Sequence, residues 1–188
     1  MRQFFKLLLG FAPWIAFMFI AHGSLLRLKV GLAVAAALTL VMAVRGLHKG
    51  VIMWVGIVFF SFASVAVIGF ENVWTMRHMG ILAHGALAAG TWLTLALGRP
   101  FTLDYAREHV APALWNDPAF LRTNVLMSSV WAVVFSLGAG LAWGKMQAAV
   151  QPEWLFDAAN YTLMVSCVAF TSWYPTVARR KAQAARQF

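Results

Sequence analysis

The sequence predicts an all-α, polytopic membrane protein: a bundle of six transmembrane helices with a cytoplasmic interfacial helix. Three observations carry this. The 188-residue chain is 62% hydrophobic and 11% charged, against about 45–50% and about 25% in an ordinary soluble domain. Its apolar residues gather into six runs, each near the roughly 20 residues needed to cross a hydrocarbon layer about 30 Å thick. The fifteen Lys and Arg fall at or near the ends of those runs.

The expected spans are about 7–23, 28–44, 51–70, 79–98, 123–144 and 157–174, within a single transmembrane domain covering residues 1–188. Helices are required because lipid supplies no partner for unpaired backbone N–H and C=O groups. A closed barrel would need short alternating strands, and Val51–Phe70 shows no alternation. Arg2 and Lys6 before the first apolar run are compatible with a secretory leader, but the run is read as the first span. The connections Ala21–Leu26, Arg45–Gly50 and Glu71–Trp74 are short, which makes neighbouring helices antiparallel.

With the N-terminus inside, eleven cations lie on the cytoplasmic side and four (Arg27, Lys29, Arg77, Lys145) on the other. The positive-inside rule then places both termini in the cytoplasm. The formal charge of +9 is spread along membrane edges and lacks the aromatic-interleaved platform of a nucleic-acid binder. Membrane lipids are the expected partners, together with other membrane proteins or a second copy. Arg99, Arg107, Arg122, Arg179, Arg180 and Lys181 are the expected contacts to lipid headgroups or to a partner.

The long connection 99–122 opens on the helix stop Gly98-Arg99-Pro100. Phe101–Val110 reads as an amphipathic interfacial helix, with Asp104 and Arg107 spaced to pair. Asp117 then reads as an N-cap and Pro118 as the first helical residue. Trp115, Trp143, Trp154 and Trp173 lie near span edges, as an aromatic belt requires. Trp14, Trp92 and Trp131 lie deeper and are expected to fill helix gaps.

Motifs with chemistry are scarce. Ser136, Gly140 and Gly144 form a small-residue stripe on the fifth span that suits close helix packing, within the chain or against a second copy. His84 is the one ionisable group well inside a span, a costly position that usually faces the bundle. His22 and His78 fall in the same half of the membrane. The three imidazoles suit a haem or metal site or a proton relay; the simpler reading is no cofactor and no metal, with His84 neutral and hydrogen-bonded to a neighbouring helix. Asn124, Ser128, Asn160 and Thr171 serve either as bonds between helices or as a polar path for a solute. Cys167 is a packing residue. No protease, hydrolase, Walker or dinucleotide motif occurs, so no catalytic residue is expected and the chain reads as a non-enzyme.

The order of features resembles the septation protein A (YciB-type) family of bacterial inner-membrane proteins or a distant relative. The residues that carry it are Arg2-Gln3-Phe4-Phe5 before a span with Pro13, Gly98-Arg99-Pro100-Phe101-Thr102-Leu103, and Leu121-Arg122-Thr123-Asn124 running into Trp131-Ala132-Val133-Val134-Phe135. Asn124 and Trp131 stand further apart than in that family's pattern. The resemblance implies a role in cell-envelope biogenesis and division through contacts with other membrane proteins, or as an accessory subunit of a membrane complex, and it brings no catalytic residue. Two alternatives stay open: a haem- or metal-binding subunit using the outer-leaflet histidines, and a small-solute transporter.

Overall fold

A computed structural model describes residues 9–46, 50–147 and 152–184. Among them there are helices and turns and no strand. In chain order the α-helices are α1 (Ala12–Ile20), α2 (Leu25–Val44), α3 (Gly50–Ser64), α4 (Val73–Arg77), α5 (Met79–Ala96), α6 (Thr102–Ala106), α7 (Pro118–Gln147) and α8 (Glu153–Ala184). Val65–Gly69 continues α3 as a π-helical turn. Four helices are long and apolar enough to cross a membrane: α2, α3 with its π turn, α5 and α7. Helix α8 has 32 residues and is more polar. Helix α1 is described only from Ala12, so the start of the first expected span lies outside the described residues, as do Arg2, Lys6 and Lys49.

Helix ends follow local chemistry. Ser24 accepts from the Arg27 amide at 3.2 Å and Asn72 from the Thr75 amide at 2.8 Å, each filling one of the orphan donors of a first turn. Asp117 accepts from the amides of Ala119 (2.7 Å) and Phe120 (3.2 Å), with Pro118 opening α7, as the spacing predicts. Helix α5 stops in a Schellman arrangement. Gly98 takes φ +67, the Arg99 amide donates to the Thr94 carbonyl at 2.9 Å, and the Gly98 amide donates to the Leu95 carbonyl at 3.0 Å. The positive φ is the conformation glycine adopts without a Cβ penalty.

The connection after α5 differs from the expected interfacial helix. It is broken into α6 and two 3-10 turns, Arg107–His109 and Pro112–Leu114. Ala111 is extended (ψ 138) before Pro112, because the proline ring disfavours helical backbone in the residue ahead of it. Phe101 and Leu103, placed by the sequence reading on a surface helix, are buried, and Phe101 is only 1% exposed.

Consecutive long helices run antiparallel. The most extensive packing is of α5 on α7, followed by α1 on α2 and α7 on α8. The core is aromatic. Phe11 stacks on Trp131 (5.0 Å, 10°), which leans on Phe135 (5.3 Å), while Trp14 stacks on Phe59 (5.0 Å, 24°). The outward face carries large apolar side chains, among them Phe19, Trp54, Phe62 and Trp143. So broad an apolar surface is foreign to soluble monomers. Trp92, expected in a helix gap, is instead 46% exposed; its indole N–H reaches back to Ser136 Oγ at 3.1 Å.

Candidate functional site: a cavity with a polar mouth

A cavity of about 600 Å³ lies among α1, α5, α7 and α8. This size falls within the usual range for ligand sites. Its mouth is at the end where α1 and α7 finish and α5 and α8 begin, and is lined by His22, Arg77, Lys145, Glu153, Asp157 and Tyr161. Its floor is lined by Phe11, Trp14, Leu87, Phe135 and Met164. From Lys145 to Phe135 the α7 wall descends about 15 Å at 1.5 Å per residue, half of a hydrocarbon layer about 30 Å thick.

Each wall contributes a defined polar group. Lys145, near the last turn of α7, donates to both oxygens of Asp157 (3.0 and 2.9 Å) and lies 3.5 Å from Glu153. This ties α7 to the first turns of α8. Tyr161 Oη and His22 Nε2 are hydrogen-bonded at 3.1 Å, joining α8 to the end of α1. His84 Nδ1–H donates to the Gly80 carbonyl at 2.9 Å, and the ring faces Asn160. Gly138 makes room for that ring: a Cβ there would run into His84 and Asn160.

The structure brings His22 and His84 to one cavity and sets His78 apart. His78 stacks on Trp74 (4.3 Å, 21°), and its Nδ1–H donates to the Trp74 carbonyl at 2.8 Å. It does not line the cavity, because helical rotation turns it away from His84, six residues on. Among the described residues no group of three or more His, Cys, Asp or Glu is placed to hold a metal ion.

The small-residue stripe is split. Ser136 receives Trp92, Gly144 faces the Phe156 ring, and nothing lies within 4 Å of a Cβ built on Gly140. The glycine of α7 that admits a side chain of α5 is Gly138 instead, two residues from Gly140 and on the other side of the helix. Of the residues weighed as a polar path, only Asn160 lines the cavity. Asn124 and Ser128 are committed to α6: Thr102 Oγ1–H donates to the Asn124 carbonyl at 3.0 Å, and Ser128 Oγ lies 3.0 Å from the same hydroxyl. Thr171 receives the Trp131 indole N–H at 3.0 Å.

That second cluster closes the opposite end. Phe101 meets Phe11 edge-on at 6.3 Å beneath the cavity floor. Tyr105 fills the space beside Gly10, and the Asp104 carboxylate lies against Gly50. Burial pushes the Asp104 carboxyl above its ordinary range, against the opposing pull of Arg107. Burial, helped by the charges of Asp104 and Glu108, pushes the Tyr105 phenol up as well. Arg107 sits over the Trp115 ring at 5.4 Å, turned onto the protein, while Arg99 and Arg122 are exposed. Arg179, Arg180 and Lys181 fall on the last turns of α8, with side chains outside the described residues.

Against family models, curated proteins and solved structures, the chain finds no match. The site therefore has to be read from its own geometry.

Proposed function

We propose that this chain is a non-enzymatic integral protein of the bacterial inner membrane that works by holding a membrane-soluble amphiphile between its helices. One observation carries the reading: the cavity is polar at the mouth, apolar on the floor and closed beneath by Phe101 and Phe11. A blind pocket of that polarity suits a molecule with a wet head and an oily tail. A solute conduit would need polar groups down its whole length, and the lower polar residues are engaged elsewhere, Ser128 and the Asn124 carbonyl by Thr102 and Thr171 by Trp131. Six crossings with both termini cytoplasmic are supported by the cation distribution, by α1 packing back on α2, and by the length of α8. In that orientation the mouth faces away from the cytoplasm. The family-like layout adds a setting in envelope biogenesis, where the exposed Arg99 and Arg122 would meet lipid or a partner.

The test is to purify the protein in mild detergent, extract it with organic solvent and compare it with Met164→Trp, which fills the floor. An amphiphile recovered in near-stoichiometric amount from the natural protein and lost from the variant is expected. Equal recovery from both would refute the reading.

The shared cavity position of His22 and His84 favours a second reading, a haem held by one or both imidazoles. An absorbance spectrum separates the two. A Soret band abolished by His84→Ala supports haem, and a colourless preparation that retains its amphiphile rejects it.

A further inference from the structure

Resting on the amphiphile reading, we propose that the cavity selects a single apolar chain carrying a compact zwitterionic head of the phosphoethanolamine kind. The charges at the mouth argue for this head. Lys145 is gripped by both oxygens of Asp157, so that pair neutralises itself. Two charges remain. Arg77 is exposed and has no ion-pair partner among the described residues. Glu153 is 78% exposed and also reaches Lys145, at 3.5 Å, so that Lys145, Asp157 and Glu153 together carry one net negative charge. One available cation and one available anion at a single mouth complement a head that carries both signs. A purely anionic head would leave Glu153 opposed, and a purely cationic one would leave Arg77 opposed; like charges brought together cost affinity.

Hydrogen bonding points to a primary ammonium. Tyr161 at the mouth, whose Oη is bonded to His22, and Asn160 beside it line the cavity and keep oxygen lone pairs that can accept, which an N–H donor uses and a fully methylated nitrogen does not. The depth argues for one chain. Below the mouth the space between the four helices is about 600 Å³ and ends on Phe11, Trp14, Leu87, Phe135 and Met164, room for one chain.

The experiment is equilibrium binding of radiolabelled lysolipids of equal chain length to the full chain in an uncharged detergent. The probes are lysophosphatidylethanolamine, lysophosphatidylglycerol and an alkyl primary ammonium. The expected result is saturable binding, with the zwitterion at least ten-fold tighter than either singly charged probe. Arg77→Gln should reduce the advantage over the cation, and Glu153→Gln the advantage over the anion. Both side chains are exposed, so neither change threatens the fold. Saturable binding of all three with equal affinity, or a zwitterion preference that survives in the double variant, would overturn the head assignment and leave the amphiphile reading standing. Binding of none would overturn both.

Discussion

The two ends of the helix group α1, α5, α7 and α8 are built from the same four helices and finished differently. At one end the connection after α5 folds back, sets Phe101 edge-on against Phe11, and ties Thr102 to the Asn124 carbonyl and Ser128. At the other the connections are short: three residues join the π turn to α4, and four join α1 to α2. Among the described residues nothing there reaches inward, and the space stays open beneath His22, Lys145 and Tyr161. The difference teaches that a cavity in this fold is what remains where no segment returns to fill the gap, while the polar residues around it hold its walls at their spacing.

Perturbing the closed end should have the largest effect. Phe101→Ala removes a fully buried ring, and the expected loss is about 3 to 5 kcal/mol, seen as a lowered melting temperature in detergent. A melting temperature within error of the natural protein would show that the plug does not hold that end. Next comes the wall between the two ends. Gly138→Leu forces a side chain into His84 and Asn160 and should cost about 1 to 3 kcal/mol, while Gly140→Leu, two residues away in open space, should leave monomer stability unchanged. Crosslinking of the Gly140 variant reads out the other role proposed for that stripe: lost self-association there would mark it as a contact between copies.

Smaller still is Thr102→Val, which leaves the Asn124 carbonyl without its hydroxyl donor. It should cost about 1 kcal/mol, read by thermal unfolding, with no change in amphiphile binding at the far end. A change in that binding would mean the two ends are coupled. The smallest effect concerns the exposed ion pair of Lys29 with Glu71. The hydrogen bond and charge of Lys29 hold the Glu71 carboxyl below its ordinary 4.5. A depressed carboxyl contributes stability that is present above pH 4.5 and lost as pH falls through the folded value. Glu71→Gln should therefore flatten the acid limb of a pH–stability curve, with a slight loss of stability at pH 7 and none at low pH, where the carboxyl is already protonated.

Parts of both ends were legible in the sequence. The stop at Gly98-Arg99-Pro100 and the start at Asp117-Pro118 were readable because capping is local chemistry, settled within a few residues. His84 stood out because an imidazole in an apolar run needs a partner. The plug did not show: Phe101 and Leu103 look alike on a surface helix and in a core, and only the fold-back onto α7 distinguishes them. The stripe pointed to Gly140 when Gly138 makes the close approach, since a G-x-x-x-G spacing marks small residues without fixing how the helix is turned. The cavity was invisible. Its His22–Tyr161 bond joins residues 139 positions apart, and no local pattern encodes an empty space.

Composition and charge placement by themselves determined that this chain is helical and that most of its length belongs in an apolar medium, because the transfer of side chains and the pairing of backbone groups are local sums over residues. Which histidines share a cavity, which glycine admits a neighbour, and which end of the bundle stays open were decided only when the helices took their rotations and depths against one another. Those are relations between distant segments, fixed by packing.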